Sequence, residues 1–329
     1  MTPMFKSACF FRIADTFELP PLELLEEGLQ KTAFVPCGAT EPESIGWVPP
    51  RGNKGVALAE IVGGHLILKL CTERRAVPSS AVKSAVDERI AKYKQETGNE
   101  RVPSKLKKEF KEDVLLELLP RAFTKRSAVL LWLDPVNRML VVDAGSLAGA
   151  DRVVTALVDV LVNLPGGGPE LGLQPIQTQV SPAVSMAHWL STREAPWRFT
   201  VDRDCELKMP DEQKASVRYS RHTLEIDEVA QHIESGKVPT LLAMTWNERV
   251  SFVLSDAGQI RKIKLLDVVM EGTDKPGKDE DGFDGNVAIL TGELSELIPD
   301  LLLALGGELG EDQPEAAAAA EAPVPALAA

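Results

Sequence analysis

The stretch Leu118–Asp134, LLPRAFTKRSAVLLWLD, contains the change of periodicity that decides the fold. Before it, NERVPSKLKKEFKEDVLLELLP (99–120) places Leu106, Phe110, Val114 and Leu118 at helical spacing, and Pro120 stops the helix because it has no backbone N–H to continue the ladder. After it, SAVLLWLDPVNRMLVVDAG (127–145) is an apolar run broken by Asp-Pro-Val-Asn, which predicts two strands joined by a tight turn. Helix and antiparallel strand alternate here within thirty residues, the signature of an α+β chain. Three cations, Arg121, Lys125 and Arg126, flank Phe123 at the junction, with no carboxylate among them. Such a cluster is either a solvated turn or a surface that meets something negative.

Upstream, PSSAVKSAVDERIAKYKQ (78–95) opens with a serine start signal and spaces Val82, Val86, Ile90 and Tyr93 along one stripe, so the two helices form an αα-hairpin between strands. Further upstream, ACFFRIA (8–14) and GHLILKLCTE (64–73) predict strands, PLELLEEGLQKT (21–32) a helix, and GWVPPRGNKG (46–55) a turn anchored by Trp47. Downstream, SLAGADRVVTALVDVLVNL (146–164) is a buried helix capped by Ser146, and PGGGPELGLQP (165–175) is a linker. Beyond it, WRFTVDRDCEL, ASVRYSRHTL, VPTLLAMTW, RVSFVLSD and QIRKIKLLD predict strands, and EIDEVAQHIESG a helix ending at Gly236. The expected organisation is a central α+β subdomain, 1–76 plus 124–165, a helical tip, 77–123, a second α+β subdomain, 175–306, and a disordered acidic Ala/Pro tail, 307–329. The sheets are expected to be mixed.

The 329 residues carry a formal net charge of −13, which argues against a polyanionic partner taken at face value. The charge is unevenly distributed. Gly307–Ala329 holds five acids and no base, and Glu271–Asp284 six acids against two lysines, leaving −4 for the remainder. Lys83–Arg126 has twelve Lys and Arg against eight Asp and Glu. A local basic surface is therefore compatible with an acidic total, because local potential steers a polyanion. Lys105, Lys107, Lys108 and Lys111 lie on the second tip helix; each is either part of a solvated face or a phosphate contact. SVRYSRHTL (216–224) is a second cluster, with Arg218, Tyr219, Arg221 and His222, and Arg261–Lys264, RKIK, could be only the solvent face of a strand.

Cys9, Cys37, Cys71 and Cys205 are scattered without ligand spacing, so they predict reduced buried thiols, and the four histidines form no metal motif. Neither a cofactor nor a metal is expected. Gly236-Lys237 follows a helix rather than opening one, so it predicts no phosphate loop. The run DKPGKDEDGFDGN puts Asp284 where an EF-hand starting at Asp279 needs glycine and Leu290 where it needs glutamate, so it predicts a solvated loop. No apolar run is long enough to span a membrane and no signal peptide is evident, which predicts a cytoplasmic protein.

Five words, AFVPCG (33–38), GWVPP (46–50), LLPRAF (118–123), HIESGKV (232–238) and LTGEL (290–294), occur in order and make the chain resemble the bacterial recombination-associated RdgC family from Phe5 to about Gly307. The resemblance implies a ring-shaped homodimer, associated with the nucleoid, that binds double- and single-stranded DNA without sequence preference, restrains the RecA recombinase and has no enzymatic activity. It implies a contact role, in DNA binding or ring closure, for Phe123 at the tip with Arg121 beside it; Phe110 is a further expected dimer contact. Family members carry a Lys-Gln pair in a projecting finger, matched here by Arg221 and His222; the histidine departs from that pattern. The expected DNA contacts are Lys105, Lys107, Lys108, Arg121, Phe123, Lys125, Arg126, Arg218, Arg221 and His222. The alternative is a dimeric protein-interaction module in which Phe123 is an interface anchor and DNA plays no part, with an enzyme of unknown type a third reading.

Overall fold

The computed structural model describes residues 5–52, 55–211, 215–270 and 282–309. Its first half contains β1 (Ser7–Arg12), α1 (Leu22–Lys31), β2 (Glu43–Trp47), β3 (Ala59–Val62), β4 (His65–Ala76), α2 (Ser79–Thr97), α3 (Ser104–Leu118), β5 (Phe123–Asp134), β6 (Met139–Val142) and α4 (Leu147–Val162). A two-residue strand, β7 (Gln174–Pro175), falls in the glycine-proline stretch and pairs with β1. The second half adds α5 (Pro182–Thr192), β8 (Phe199–Lys208), β9 (Ser216–Tyr219), α6 (Asp227–Glu234), β10 (Val238–Trp246), β11 (Val250–Ser255), β12 (Ile260–Leu265), α7 (Asp267–Met270) and α8 (Phe283–Ala304).

The strands form one twelve-stranded sheet in the order β2-β4-β5-β6-β1-β12-β11-β10-β8-β9, with β3 on β4 and β7 on β1. Every pairing between the strands named above is antiparallel, so the expectation of mixed sheets is corrected; an isolated parallel bridge joins Ala33 to Trp47 at the end of β2. The pairs β3–β4, β5–β6, β10–β11 and β11–β12 are joined by short turns, and a tight turn can only reverse the chain. β1 joins the halves: Ser7 and Ala8 pair with β12, and Cys9 to Arg12 with β6. At the changeover the Lys6 and Ser7 amides donate to the Asp143 carboxylate at 2.9 and 2.8 Å. Burial raises the pKa of Asp143, and those two bonds oppose the shift.

The apolar run Leu130–Leu133 is explained by burial on both faces of the first half of the sheet. Leu66, Leu68, Leu131, Leu133 and Leu140 pack under α1 and α4, whereas Ile67, Trp132 and Val141 face the opposite way into a core shared with α8. That core continues into Leu242, Met244, Phe252 and Leu254 of the second half. Val287, Leu294, Leu297, Ile298 and Leu301 of α8 are all fully buried. α8 is thus the helix on which both halves rest. It starts at Phe283, where a solvated loop is expected from sequence. The rest of that acidic run, 271–281, and the tail beyond Leu309 lie outside the described residues. Glu308 itself is held by Arg12, with Nε donating to Oε2 at 2.9 Å.

Helices α2 and α3 occupy the interval between Ala76 and Phe123, residues that pair directly across β4 and β5. They lie against each other through an edge contact of Tyr93 with Phe110, centroids 6.2 Å apart, and through Arg89, which bridges Asp113 at 3.3 Å and Glu117. Val82 and Val114 are their buried residues. Ser79 opens α2 but gives no side-chain cap; the residue before it is Pro78. Ser146 does cap α4, accepting from the Gly149 amide at 3.2 Å. No helix among the described residues is long and apolar enough to cross a membrane.

Candidate nucleic-acid interface

The second-half sheet buries one face against α5 and α8 and leaves the other uncovered by them. On the open face, β12 carries a bulge opposite β11, with Lys262 in the left-handed region at φ 53°. In a regular strand consecutive residues alternate sides. The extra residue breaks that alternation, so Ile260 and Ile263 are buried while Arg261, Lys262 and Lys264 line one cavity on the outer side. Lys6 and Arg218 complete its cationic rim, and the volume is about 520 Å³. None of these five cations makes an ion pair among the described residues; Arg261 is steadied by the neutral Gln259 Oε1 at 2.6 Å. The two carboxylates in the lining stand beside the rim, Glu206 directly across from Arg218 and Asp204 within reach of the Lys262 charge, although neither forms an ion pair with a rim cation among the described residues. Glu206 pairs with Lys208 at 2.6 Å, and Asp204 accepts from the Ser220 hydroxyl and the Arg221 amide, both at 2.9 Å.

Those last two bonds build the turn that follows β9. Arg221 sits at φ 54°, a conformation that costs free energy for a residue with a Cβ and is held here by Asp204. The same amide bond, then the Ser220 hydroxyl, lowers the Asp204 pKa. The Arg221 side chain is left exposed and without an ion pair among the described residues. His222 is exposed too, but its Nδ1 is 2.7 Å from the Thr223 carbonyl and its ring lies 5.8 Å from Tyr219. The backbone thus occupies one of its two ring nitrogens.

At the other cluster, Lys105, Lys107, Arg121 and Lys125 are exposed and make no ion pair among the described residues, while Lys108 reaches Glu112 at 3.8 Å. Phe123 is 88% exposed at the first position of β5. Arg126 differs from its neighbours: it pairs with Glu73, directly opposite on β4, and stacks over Phe34 with its guanidinium 5.2 Å from the ring centroid. Glu73 is buried and also accepts from the Cys37 amide at 2.8 Å. Arg126, then Cys37, lowers the Glu73 pKa, and the pairing raises that of Arg126. The charge of Arg126 is therefore already answered within the chain.

Arg75, which the sequence did not single out, is the organising residue of this end. Its Nη1 donates to the carbonyls of Leu119 and Ala122, both at 3.2 Å, its Nε to Gly38 at 3.1 Å and its Nη2 to Cys37 at 3.4 Å. The guanidinium thereby ties the loop containing Cys37 to the 3-10 turn Leu119–Arg121, immediately before Phe123. Orphan carbonyls at a helix end need such donors. The two cation clusters lie apart in the sheet: β5 and β9 are seven strand spacings from each other, on the order of 30 Å at about 4.8 Å each. Arg218 joins Lys6 and the β12 cations in one lining, whereas Arg121 and Phe123 follow the C-terminal end of α3 and Lys105, Lys107 and Lys108 lie in its first turns.

Among the described residues no three His, Cys, Asp or Glu side chains are grouped as a metal ion would require. All four cysteines are free.

The family description "Putative exonuclease, RdgC" matches residues 4–308. The chain is 41% identical over 305 residues to the recombination-associated protein RdgC of Herminiimonas arsenicoxydans, covering 92% of this chain and 98% of that one. It is 42% identical over 311 residues to the protein of that name from Dechloromonas aromatica (strain RCB), covering 93% and 99%. Against the Bordetella pertussis (strain Tohama I) protein of that name the identity is 36% over 305 residues, covering 92% and 98%.

Proposed function

The chain belongs to the RdgC family of recombination-associated proteins, and on that premise we propose that it binds DNA without reading its sequence, as a homodimer that closes around the DNA and limits the access of RecA. The observation that carries this reading is the set of five cations without ion pairs on one open sheet face of a protein whose net charge is −13. Exposed lysines and arginines neutralise phosphates and release counterions, a contribution that carries no sequence information. Arg221 and, at the other end of the protomer, Arg121, Lys105, Lys107 and Lys125 extend the same chemistry. The second copy is supported by Phe123, a large apolar side chain 88% exposed beside the anchored turn; an exposed aromatic of this kind suits a buried interface centre.

The reading is also that the protein acts without cleaving DNA. The family description and the relatives' names point different ways here, so turnover is to be measured directly. End-labelled duplex incubated with the protein and Mg²⁺ is expected to keep its length; shortening that scales with protein and survives further purification would reinstate the exonuclease reading.

The binding reading is tested with Arg121→Ala and Arg221→Ala combined. The double variant is expected to bind several unrelated duplexes more weakly by one common factor. Unchanged affinity would refute the assignment of these residues, and a loss confined to one sequence would refute binding without readout.

A further inference from the structure

Resting on the DNA-binding reading, we infer that the cavity on the open sheet face seats an unpaired stretch of DNA, bases against its apolar floor and phosphates on its cationic rim. A solvent-facing strand surface normally alternates to polar side chains. Here the outer face of β10 and β11 presents Leu241 and Val253, both only half-buried. Among the described residues no helix packs over these two in the way α5 and α8 cover the opposite face. Water in such a cavity is held against apolar walls, which favours an occupant with a flat, weakly hydrated surface.

The rim specifies the charge of that occupant. Lys6, Arg218, Arg261, Lys262 and Lys264 lack ion pairs among the described residues and outnumber the two lining carboxylates, Asp204 and Glu206, whose hydrogen bonds go to the Arg221 turn and to Lys208. Apolar floor and cationic rim together match a nucleotide with its base exposed. A duplex offers this face its phosphates but keeps its bases stacked inside, so the floor beneath the rim would stay wet. A single strand offers both, and contact with a base face is tolerant of sequence. Arg218 and Arg261 supply planar guanidinium groups in the same lining, groups on which unstacked bases rest. The bulge at Lys262 serves this site because it brings two consecutive cations onto the side where the strand period allows one.

The test measures binding of a dT20 strand and of a 20-base-pair duplex at one salt concentration, for the full chain and for Leu241→Gln, Val253→Thr and Lys262→Gln. The floor variants are expected to weaken the single strand about tenfold, the range of one lost base contact, with the duplex changed less than about twofold. Lys262→Gln is expected to weaken both. Equal losses for strand and duplex in the floor variants, or no loss for the strand, would overturn the inference. Wild-type protein that binds neither form would overturn the DNA-binding reading and this inference with it. A measurement on the unaltered protein guards against misfolded variants: a strand carrying 2-aminopurine is expected to change its fluorescence on binding as its base leaves water, and an unchanged signal at saturation would count against the seat.

Discussion

Replacing Arg75 with alanine isolates what holds the tip to the sheet. The substitution removes donors from four main-chain carbonyls, those of Cys37, Gly38, Leu119 and Ala122. A hydrogen bond from a charged donor contributes about 1.5–3 kcal/mol net where water is excluded. Arg75 is only half-buried and one nitrogen serves two of the carbonyls, so the set is equivalent to one or two full bonds and the expected cost is about 2–4 kcal/mol. In a domain of this size each kcal/mol moves the Tm by about 2 °C, so a fall of about 4–8 °C is expected. The local consequence is more specific. The Ala122 amide donates to the Leu119 carbonyl at 3.1 Å, and its hydrogen exchange should accelerate together with that of its neighbours up to Phe123. Arg75→Lys keeps the charge but loses the fork, so it should fall between wild type and alanine. Thermal denaturation and hydrogen exchange by mass spectrometry measure both effects. An Arg75→Ala protein with unchanged Tm and unchanged exchange over Leu119–Phe123 would refute the claim that this guanidinium anchors the tip.

Asp204 has a folded-state pKa depressed by the Arg221 amide and the Ser220 hydroxyl, so its stabilisation of that turn is complete above its unfolded value and is lost as pH falls through the lower folded one. Order around Arg221, followed by amide chemical shifts, should therefore decay below about pH 4, and Asp204→Asn should abolish that pH dependence; an identical titration in the variant would contradict the assignment. Cys9 and Cys205 are both pushed up to about 11 by burial, which leaves about one thiolate in a thousand at pH 8. A thiol reagent at that pH should label neither until the protein is denatured, and rapid stoichiometric labelling of either in the native protein would count against the buried placement. Phe123→Ala should weaken self-association in sedimentation while changing the monomer's stability by less than about 0.5 kcal/mol, because an 88% exposed ring contributes little to the core; an intact dimer would remove Phe123 from the interface.

What the sequence made legible is what local chemistry controls. β1, β4, the β5–β6 turn, the helices α2 and α3, and α4 with its Ser146 cap all followed from periodicity, proline and a capping side chain. The longest helix did not. α8 was missed although Phe283, Val287, Leu290, Leu294, Leu297, Ile298, Leu301 and Leu302 fall on one buried stripe at helical spacing. Its start adjoins an acidic run that reads as a loop. α5 was hidden too, its short apolar stretch PAVSMAHWLST lacking a polar face. The antiparallel joining of the halves through β1 depends on pairings between residues some 250 positions apart, for which a single sequence carries no sign.

The site divides along the same line. Exposed cations next to a proline stop or a helix start are visible as clusters, and Arg121, Arg218 and Arg221 are exposed in the structure as that placement suggests. Which cations are already paired is a long-range fact: Arg126 stands beside Lys125 in sequence, yet strand register sets it against Glu73. The placement of three RKIK cations on one side was missed for a related reason. A period of two puts Arg261 and Lys262 on opposite faces, and only the bulge, itself set by pairing with β11, brings both to one side. Arg75 and Glu73 were invisible because their partners, the 37–38 loop and the 119–126 segment, become neighbours only when β4 lies between them.

The most direct test of the central claim is the fluorescence anisotropy of two unrelated labelled duplexes with the full chain across a salt series. The account predicts that log affinity falls linearly with log salt for both, with one common slope of about −0.9 per phosphate neutralised, and that Lys262→Gln together with Lys264→Gln makes the slope shallower by about 1.8. Absence of binding even at low salt, or a slope untouched by the loss of two rim cations, would contradict it.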